Sequence, residues 1–364
     1  MVKTCIIVGL GAHARGTWAL SVKRHPDWKL IGVVDTDTEL LENAHKIVPI
    51  EPDQVYRKIE EVLQYGQKPD LAIIATPIPT HHVLVKEAME RGINVICEKN
   101  MASTIYQGRQ MLQLALDHPE LSTAMGLQRR YTTPYWTAKK YLQGPDNKIG
   151  KLSFIEWDDA FNWGLYREGW RQWLQDLYAE DQMVHWFDLM RFITGMDIVQ
   201  VKCDSFIHNW SDWQGAATIL VNLALAKPED YNHRHNWTWA RFYGDWQRRG
   251  PKLELQEFFG EKGRFKISGQ WGLELLLYTD GVGNKWEEDG YLPQPDIENM
   301  GTNFDGQCII LEQMKRSIDS HGKLQPQTNF RDTFKSFAAT IGAIESSRTG
   351  QTIWVPNYWK DMGI

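Results

Sequence analysis

The first 128 residues alternate between short apolar runs and amphipathic segments, and this alternation restricts the possible folds more than any other feature of the chain. The apolar runs are TCIIVGL, KLIGVVD, DLAIIAT, NVICEK and LSTAMGL. The segments with a helical pattern are ARGTWALSVKRH, TELLENAHK, DQVYRKIEEVLQYG, HHVLVKEAMERG and TIYQGRQMLQLALDH. Strands that are apolar throughout and alternate with helices indicate a parallel sheet covered on both faces. We therefore predict a doubly wound α/β domain of the Rossmann type over residues 1–128.

The first strand-to-helix junction carries a GxGxxA sequence, GLGAHA, at residues 9–14. Its first glycine permits a tight turn, its second lets backbone N–H groups reach a pyrophosphate, and its alanine lets helix and strand pack closely. Asp35 follows at the end of the second strand, where a carboxylate accepts hydrogen bonds from a ribose and repels a 2′-phosphate, which favours NAD over NADP. The dinucleotide-binding residues predicted from this pattern are Gly9, Gly11, Ala12, His13, Ala14 and Asp35.

Two further loops follow strands of the predicted parallel sheet, at the edge where such sheets bind ligands. One contains Ala75, Thr76 and Pro77, with His81 at the start of the next helix, and the other contains Glu98 and Lys99. Taken alone, the first loop is more typical of an ordinary turn, and His81 is more typical of a histidine at a helix end. The ammonium group of Lys99, at the end of an apolar strand, either reaches solvent or lies in the ligand-binding crevice at this edge of the sheet. We include all six residues in the predicted cofactor site.

The pattern changes after residue 150, where runs of adjacent strands replace the alternation. KLSFIEWDDAFNW, IVQVKCDSFIHNW, GAATILVNLALA, KLELQEFFG, GRFKISGQ and ELLLYTDG are typical of strands separated by turns. They predict an α+β domain over residues 129–364 with a large, mainly antiparallel sheet. We also predict a helix from Ala179 to Thr194 with Gly195 as its cap, and late helices near 303–319 and 328–348. Residues 227–250 have the character of an insertion, either a lid or an interface arm.

Three ionisable residues share one side of the predicted helix at 179–194. Asp181 and His185 are four residues apart and Asp188 follows three later, so all three project from one face. Such a stripe is either a solvated face or a site. Metal binding is the rival chemistry, but it needs a third ligand and an open position, and no such cluster is apparent in the sequence. We predict no metal.

Six segments follow one another along the chain in an order that is typical of one protein family. They are GLGAHARG, VVD, AIIATPIPTHH, VICEKN, GLQRRYTTP and DQMVHWFDLMRFITG. In this the chain resembles the glucose-fructose oxidoreductase and inositol dehydrogenase (Gfo/Idh/MocA) family of NAD(P)-dependent oxidoreductases, strongly through residue 200 and weakly afterwards. The resemblance implies three catalytic residues, Lys99, Asp181 and His185. It also implies that Thr76, Pro77 and His81 line the nicotinamide side of the cofactor site.

The resemblance has further consequences at two places. It puts Arg129 or Arg130 where the chain crosses between the domains. Asn100 stands where the family has proline after its lysine.

The chemistry of oxidising a secondary alcohol matches these residue types. Histidine titrates near neutral pH and can take the hydroxyl proton, a carboxylate fixes its tautomer, and a lysine steadies the developing alkoxide. Asp188 is then a structural partner. We predict an NAD-dependent dehydrogenase for a sugar, a polyol or a derivative. Two alternatives stay open: a glycoside hydrolase that oxidises its substrate transiently with bound NAD, and a non-catalytic dinucleotide-binding regulator of a sugar pathway.

The chain has 17 tryptophans, of which only Trp18 and Trp28 precede residue 129. Aromatic rings pack on the C–H faces of sugars, although most tryptophans fill a core or an interface. The predicted substrate-binding residues are Arg129, Trp163, Arg167, Trp170 and Arg171, together with Asp181 and His185.

Composition restricts the partners and the compartment. A formal net charge of −6 without a basic run argues against a nucleic-acid partner. The absence of an apolar run of about eighteen residues argues against a membrane span. Four separated cysteines without a CxxC pair favour reduced thiols and therefore the cytoplasm. An open antiparallel sheet needs cover on one face, so we expect a homodimer or homotetramer formed through it.

Overall fold

The computed structural model describes residues 2–145, 147, 149–164, 169–268, 274–279, 287–288 and 306–364. The chain divides into two units, Met1–Gln128 with Asp296–Phe334, and Arg129–Pro295 with Lys335–Ile364. The first unit ends at Gln128, next to the predicted boundary at 128/129, and the described residues 306–334 belong with it. Contacts distant in sequence cause this. Trp28 Nε1 donates to the Leu311 carbonyl at 3.1 Å, and the Ser122 and Ser317 hydroxyls are 2.7 Å apart.

The first unit contains a six-stranded sheet in which every pair of neighbours is parallel. Its strands are β1 (Lys3–Val8), β2 (Trp28–Val34), β3 (Val55–Tyr56), β4 (Leu71–Ile74), β5 (Asn94–Cys97) and β6 (Thr123–Met125). Their order in the sheet is β3-β2-β1-β4-β5-β6. The order reverses between β1 and β4, and ligands of such sheets bind at this switch point. The predicted doubly wound fold is confirmed.

Helices connect these strands, as predicted from the amphipathic segments. They are α1 (Ala19–Arg24), α2 (Thr38–Glu42), α3 (Ala44–Ile47), α4 (Ile59–Tyr65), α5 (His81–Glu90) and α6 (Ile105–Asp117). The helix predicted over residues 53–66 is wrong in its first half, because Val55 and Tyr56 form β3 beside β2. The Tyr56 ring covers Gly32, where a Cβ would lie 2.9 Å from it. This contact between separate strands outweighs the local helical pattern.

The second unit contains a nine-stranded sheet and two helices that come early in it. The strands are β7 (Leu152–Ala160), β8 (Asp197–Phe206), β9 (Thr218–Ala226), β10 (Thr238–Asp245), β11 (Leu253–Gly260), β12 (Gly263–Ser268), β13 (Glu274–Thr279), β14 (Glu287–Glu288) and β15 (Ile353–Trp354). The helices are α7 (Thr133–Gln143) and α8 (Val184–Thr194). The strand order is β14-β13-β12-β11-β7-β10-β9-β8-β15. Only the β7–β10 pair is parallel among the described pairs, which confirms the mainly antiparallel prediction.

The proposed insertion at 227–250 is not a lid or an arm. Its second half is β10, a central strand that pairs with β7 on one side and β9 on the other. The connection before β10 folds onto the sheet. There Tyr231 and Trp237 pack against a small buried cluster of Val199, Ala224 and Ala226.

The late helices are α9 (Gly306–Asp319) and α10 (Phe330–Thr349), as predicted for the described residues. Single turns of π-helix lie at Ala14–Trp18 and Ala179–Met183. Short 3₁₀ turns lie at Ile78–Thr80, Gln128–Tyr131, Trp170–Trp173, Pro228–Asp230, Arg234–Asn236 and Val355–Tyr358. All four cysteines are described, buried and free of disulfides. In the described part of the chain, no helix combines the length and apolarity needed to cross a bilayer.

Candidate active site

The glycine turn after β1 is shaped by what lies against it. Gly9 has φ +91°, and a Cβ there would lie 2.7 Å from Thr76 Cγ2 and 2.8 Å from the Ala75 carbonyl oxygen. Only glycine fits this conformation and this approach without strain. Gly11 is exposed, and a Cβ there would meet no described protein atom within 4 Å. The turn is therefore closed on its protein side and open where a pyrophosphate is expected.

Asp35 is bound to the glycine turn through the backbone. Its Oδ2 accepts a hydrogen bond from the Leu10 N–H at 2.6 Å, and its Oδ1 accepts one from the Asp37 N–H at 2.9 Å. The side chain is half-buried. A carboxylate has about four acceptor sites, so two bonds leave capacity for a ribose diol. The acid predicted to bind ribose thus also fixes the turn.

Glu98 braces the start of the first helix from the end of β5. Its Oε1 lies 3.0 Å from His13 Nε2 and accepts from Trp18 Nε1 at 2.7 Å, while Oε2 accepts from the Lys99 N–H. Burial alone raises the pKa of Glu98, but His13, Lys99 and the Trp18 hydrogen bond outweigh it, so the pKa lies below its ordinary value. A Cβ at Gly126 would lie 2.5 Å from this carboxylate, so a larger residue there would displace the side chain of Glu98.

His81 ties the loop that contains Thr76 and Pro77 to the loop that contains Lys99. Its Nδ1 lies 2.8 Å from the Asn100 carbonyl oxygen and its Nε2 lies 2.9 Å from the Thr76 carbonyl oxygen. The ring is fully buried, and burial lowers its pKa although the two carbonyl groups oppose the shift. Lys99 is half-buried beyond β5, and the Lys99–Asn100 peptide bond is cis. His81 therefore fixes the backbone next to Lys99.

Asp181 and His185 lie at the start of the predicted helix of the second unit. Asp181 is in the π-helical turn and His185 is in α8; they are 3% and 5% exposed. Arg171 Nε donates to Asp181 Oδ2 at 2.7 Å, and the guanidinium of Arg171 lies 4.7 Å from the centroid of the Trp170 ring. The structure therefore brings four predicted site residues of this unit to one helix start.

Asp188 has the structural role expected for it. Arg130 donates to its two oxygens from Nε at 2.6 Å and from Nη2 at 2.5 Å, and the Ser336 hydroxyl donates to Oδ1 at 2.9 Å. Both charged side chains are buried. The neighbouring Arg129 instead lies over the Trp186 ring, 4.3 Å from its centroid. Of the two arginines, Arg130 anchors α8, and Arg129 packs against Trp186 in the first turn of α8.

Asp159 and Tyr178 also belong to this region, although they are not among the site residues predicted from the sequence. Asp159 on β7 is buried, and its Oδ2 accepts from Tyr178 Oη at 2.6 Å and from Trp186 Nε1 at 3.1 Å. Burial raises the pKa of Asp159 to about 6, against an opposing hydrogen bond from Tyr178. The Tyr178 ring lies over Gly244, where a Cβ would be 2.3 Å away. The signal was the period of two in EWDDA, which points Asp159 inward beside a tryptophan.

The remaining predicted residues have different outcomes. The Trp163 ring stacks on Trp246 with centroids 5.5 Å apart. Arg167 lies outside the described residues. Within the described ranges, no three His, Cys, Asp or Glu side chains form a group able to hold a metal ion.

Comparison with known proteins identifies the first unit most directly. Residues 3–124 match the GFO_IDH_MocA family model, described as an oxidoreductase family with an NAD-binding Rossmann fold. The match covers the glycine turn, Asp35, the loop at Thr76 and Lys99.

Relatives extend the likeness over most of the chain. A D-apiose dehydrogenase from Paraburkholderia graminis is 25% identical over 343 residues, covering 89% of this chain and 82% of that protein. An inositol 2-dehydrogenase from Corynebacterium glutamicum is 24% identical over 187 residues, covering 46% and 52%. A crystal structure of an oxidoreductase from Agrobacterium radiobacter with NAD⁺, L-tartaric acid and magnesium superposes with a TM-score of 0.80 at 18% identity, covering 98% and 99%. This last likeness shows the fold.

Proposed function

We propose that the chain is an NAD-dependent dehydrogenase of a secondary hydroxyl in a sugar, a polyol or a derivative, because residues 3–124 match the Gfo/Idh/MocA oxidoreductase family model. The related D-apiose and inositol dehydrogenases support this substrate class. The observation that carries the proposal is the buried Asp181–His185 pair, with Asp181 anchored by Arg171, on a helix outside the dinucleotide-binding unit.

Each proposed catalytic residue has a separate task. A bound nicotinamide supplies the hydride acceptor. His185 takes the proton of the substrate hydroxyl, so that the O–H bond breaks as the carbonyl forms, and returns the proton in the reverse direction. Asp181 orients the imidazole and stabilises its cation. Lys99 stabilises the developing alkoxide by its positive charge.

The dinucleotide fits the residues around the glycine turn. Gly11 leaves open space at the helix start, and Asp35 retains acceptor capacity after binding two backbone N–H groups. In this proposal the two hydroxyls of the adenosine ribose bind Asp35, and a 2′-phosphate is repelled, which favours NAD over NADP.

The first experiment is cofactor reduction by the purified protein. NAD⁺ and NADP⁺ are supplied separately with aldoses, inositols, sugar acids and glycosides, and the sugar products are analysed in parallel. NADH formation with one substrate class supports the dehydrogenase. Loss of glycoside without net NADH favours the redox-assisted hydrolase instead. Cofactor binding with no turnover of any sugar favours the regulator.

His185→Ala tests the assigned acid–base residue. We expect turnover to fall roughly 10²–10⁴-fold, because the hydroxyl proton then has no positioned acceptor. The dissociation constant of NAD should not change, since His185 and the dinucleotide-binding residues belong to different units. His118→Ala, a partly exposed histidine of the first unit, is the control and should keep full activity. Unchanged turnover in His185→Ala would remove this residue from the mechanism.

A further inference from the structure

A pocket of about 310 Å³ opens in the second unit among residues that the proposed mechanism does not use. Its side chains are those of Asn162, Trp210, Asp212, Trp213, Gln247 and Arg249. They follow β7, precede β9 and follow β10. Because β7 and β10 are parallel and Thr218 pairs with Asp245, all three loops lie at one edge of the sheet. The volume is at the lower end for ligand sites, about the size that holds one small ring.

Tryptophan forms the apolar part of this pocket. Trp210 is 48% exposed, although His208 stacks on it with centroids 4.8 Å apart and the Arg249 guanidinium lies 5.4 Å from its centroid. Trp213 is buried and packs on Trp246, with centroids 6.2 Å apart. Trp210 lines the pocket and has about half of its surface exposed, so its ring is available to pack against an apolar face of a ligand.

A buried amide oxygen supplies the polar part. Gln247 is 5% exposed, and its Nε2 donates to the Thr218 hydroxyl at 2.8 Å. Its Oε1 has no hydrogen-bond partner among the described residues. A buried acceptor without a donor costs free energy, and a ligand hydroxyl would satisfy it.

The mixture of groups indicates the chemistry of the ligand. Asp212 and Arg249 carry opposite charges, so the pocket selects neither a polyanion nor a polycation. Amide, carboxylate and guanidinium groups match hydroxyls that both donate and accept, while indole rings match C–H faces. A neutral sugar ring has both surfaces.

The loop that carries Trp210 and Trp213 is tied to the start of the helix that carries Asp181. The Ala216 N–H donates to the Gln175 carbonyl at 2.8 Å, and the Tyr178 N–H donates to the Ala216 carbonyl at 3.1 Å. A Cβ at Gly215 would lie 2.0 Å from the Leu174 carbonyl oxygen, so glycine allows this approach. The pocket is therefore anchored next to the segment that leads into Asp181 and His185.

We propose that this pocket binds a second sugar ring, joined to the ring that is oxidised, so that the substrate is a glycoside or an oligosaccharide. The assignment of the other ring to oxidation rests on the proposed dehydrogenase function. The binding of a sugar ring by the pocket does not.

Calorimetric titration of the NADH-loaded protein tests the proposal without oxidation of the sugar, because NADH cannot accept a hydride. Glucose, galactose and xylose are compared with their methyl glycosides and with disaccharides that contain them. We expect at least one disaccharide to bind about tenfold more tightly than its monosaccharide. Trp210→Ala should remove this difference while leaving monosaccharide affinity unchanged. Arg249→Ala, also at an exposed position, should reduce it.

The control is Tyr65→Ala, which removes an aromatic side chain that is 73% exposed on α4 of the first unit, and it should not change any affinity. The proposal is overturned if no disaccharide binds better than its monosaccharide, or if Trp210→Ala weakens both equally or neither. Disaccharide binding that depends on Trp210 without NAD⁺ reduction would keep the pocket and reject the dehydrogenase. Oxidation of a monosaccharide without tighter binding of any disaccharide would support the dehydrogenase and reject the sugar-binding pocket.

Discussion

Asp159 lies on the inner face of β7, where burial leaves its charge poorly compensated. Oδ2 accepts from Tyr178 and Trp186, but Oδ1 has no hydrogen-bond partner in the part of the chain that the structure describes. Glu254 stands directly opposite on β11 and adds repulsion. The result is a pKa of about 6, against 3.8 for an ordinary aspartate. Between pH 4 and pH 6 the native state therefore keeps a proton on Asp159, whereas the unfolded chain has already released it.

Asp159→Asn should change how stability depends on pH. In the wild type, the raised pKa makes the native state lose stability as pH rises from about 4 to about 6, and this loss persists at neutral pH. The asparagine cannot ionise and keeps an acceptor for Tyr178. We compare the free energies of unfolding of the variant and the wild type. The difference between them should increase in favour of the variant by about 2 kcal/mol as the pH rises from about 4 to about 6.

Urea unfolding at pH 4, 5, 6 and 7 measures this gain, with the exposed Asp204→Asn as the control. A constant difference between variant and wild type across these pH values would contradict the raised pKa of Asp159.

Asp35→Asn should alter the choice of cofactor. The amide keeps one oxygen to accept from the Leu10 N–H, so the glycine turn should survive. The charge that repels a 2′-phosphate is lost, so we expect the ratio of NADP to NAD affinity to rise about tenfold. Fluorescence titration with both cofactors measures the ratio. The control is Asp37→Asn, which removes a nearby carboxylate that caps α2. An equal rise in both variants would show that Asp35 does not contact the ribose.

Helix α8 depends on ion pairs that link it to the rest of its unit. Arg130 and Asp188 join its middle to the segment that precedes α7. Arg191 donates from Nε and Nη2 to Asp197, the first residue of β8, and from Nη1 to Ser336 in α10. The charged side chains of both ion pairs are buried, so each charge needs its counter-charge to offset the free-energy cost of removing it from water. The network fixes the helix that presents Asp181 and His185.

Asp188→Ala should cost about 3–5 kcal/mol of stability, because it leaves the Arg130 guanidinium buried without its counter-charge. The double variant Arg130→Met with Asp188→Leu should cost less, since no charge then remains buried. The free energy of unfolding in urea measures both. Lys86→Ala, which removes the exposed ion-pair partner of Glu90 on α5, should cost about 1 kcal/mol or less. A double variant as unstable as the single one would contradict this explanation.

The outer face of the nine-stranded sheet carries apolar side chains that remain open to solvent in the single chain. Phe154 on β7 is 37% exposed and Leu220 on β9 is 42% exposed, while their sequence neighbours Ile155 and Val221 point inward and are buried. The Arg241–Glu156 ion pair lies between them on the same face. We propose that this face forms the interface of a homodimer or homotetramer.

Leu220→Asp should weaken this association, because it places a charge in the apolar part of the interface. Sedimentation velocity of the wild type should give an oligomer, and the variant should shift towards the monomer. Leu324→Asp, at an equally apolar position that is 63% exposed in the first unit, should leave the oligomer intact. A monomeric wild type would refute the proposal.

The sequence by itself determined the features that depend on neighbouring residues. The parallel sheet follows from the alternation of apolar strands and helices, and the glycine turn follows from the backbone freedom that GLGAHA requires. The helix bearing Asp181 and His185 follows from local periodicity. Its end at Gly195 follows from the ease with which glycine adopts the left-handed conformation of a helix cap, which the structure shows with a φ of +68°.

Only the tertiary structure decided what depends on distant pairing. β10 was mistaken for part of an insertion because a central strand is defined by its partners, and its partner β7 is about 85 residues away in sequence. The His13–Glu98 contact spans the same separation. The raised pKa of Asp159 and the pocket at Trp210 arise in the same way. Burial and charge at a residue are set by side chains brought together from several strands, and no local pattern encodes which strands those will be.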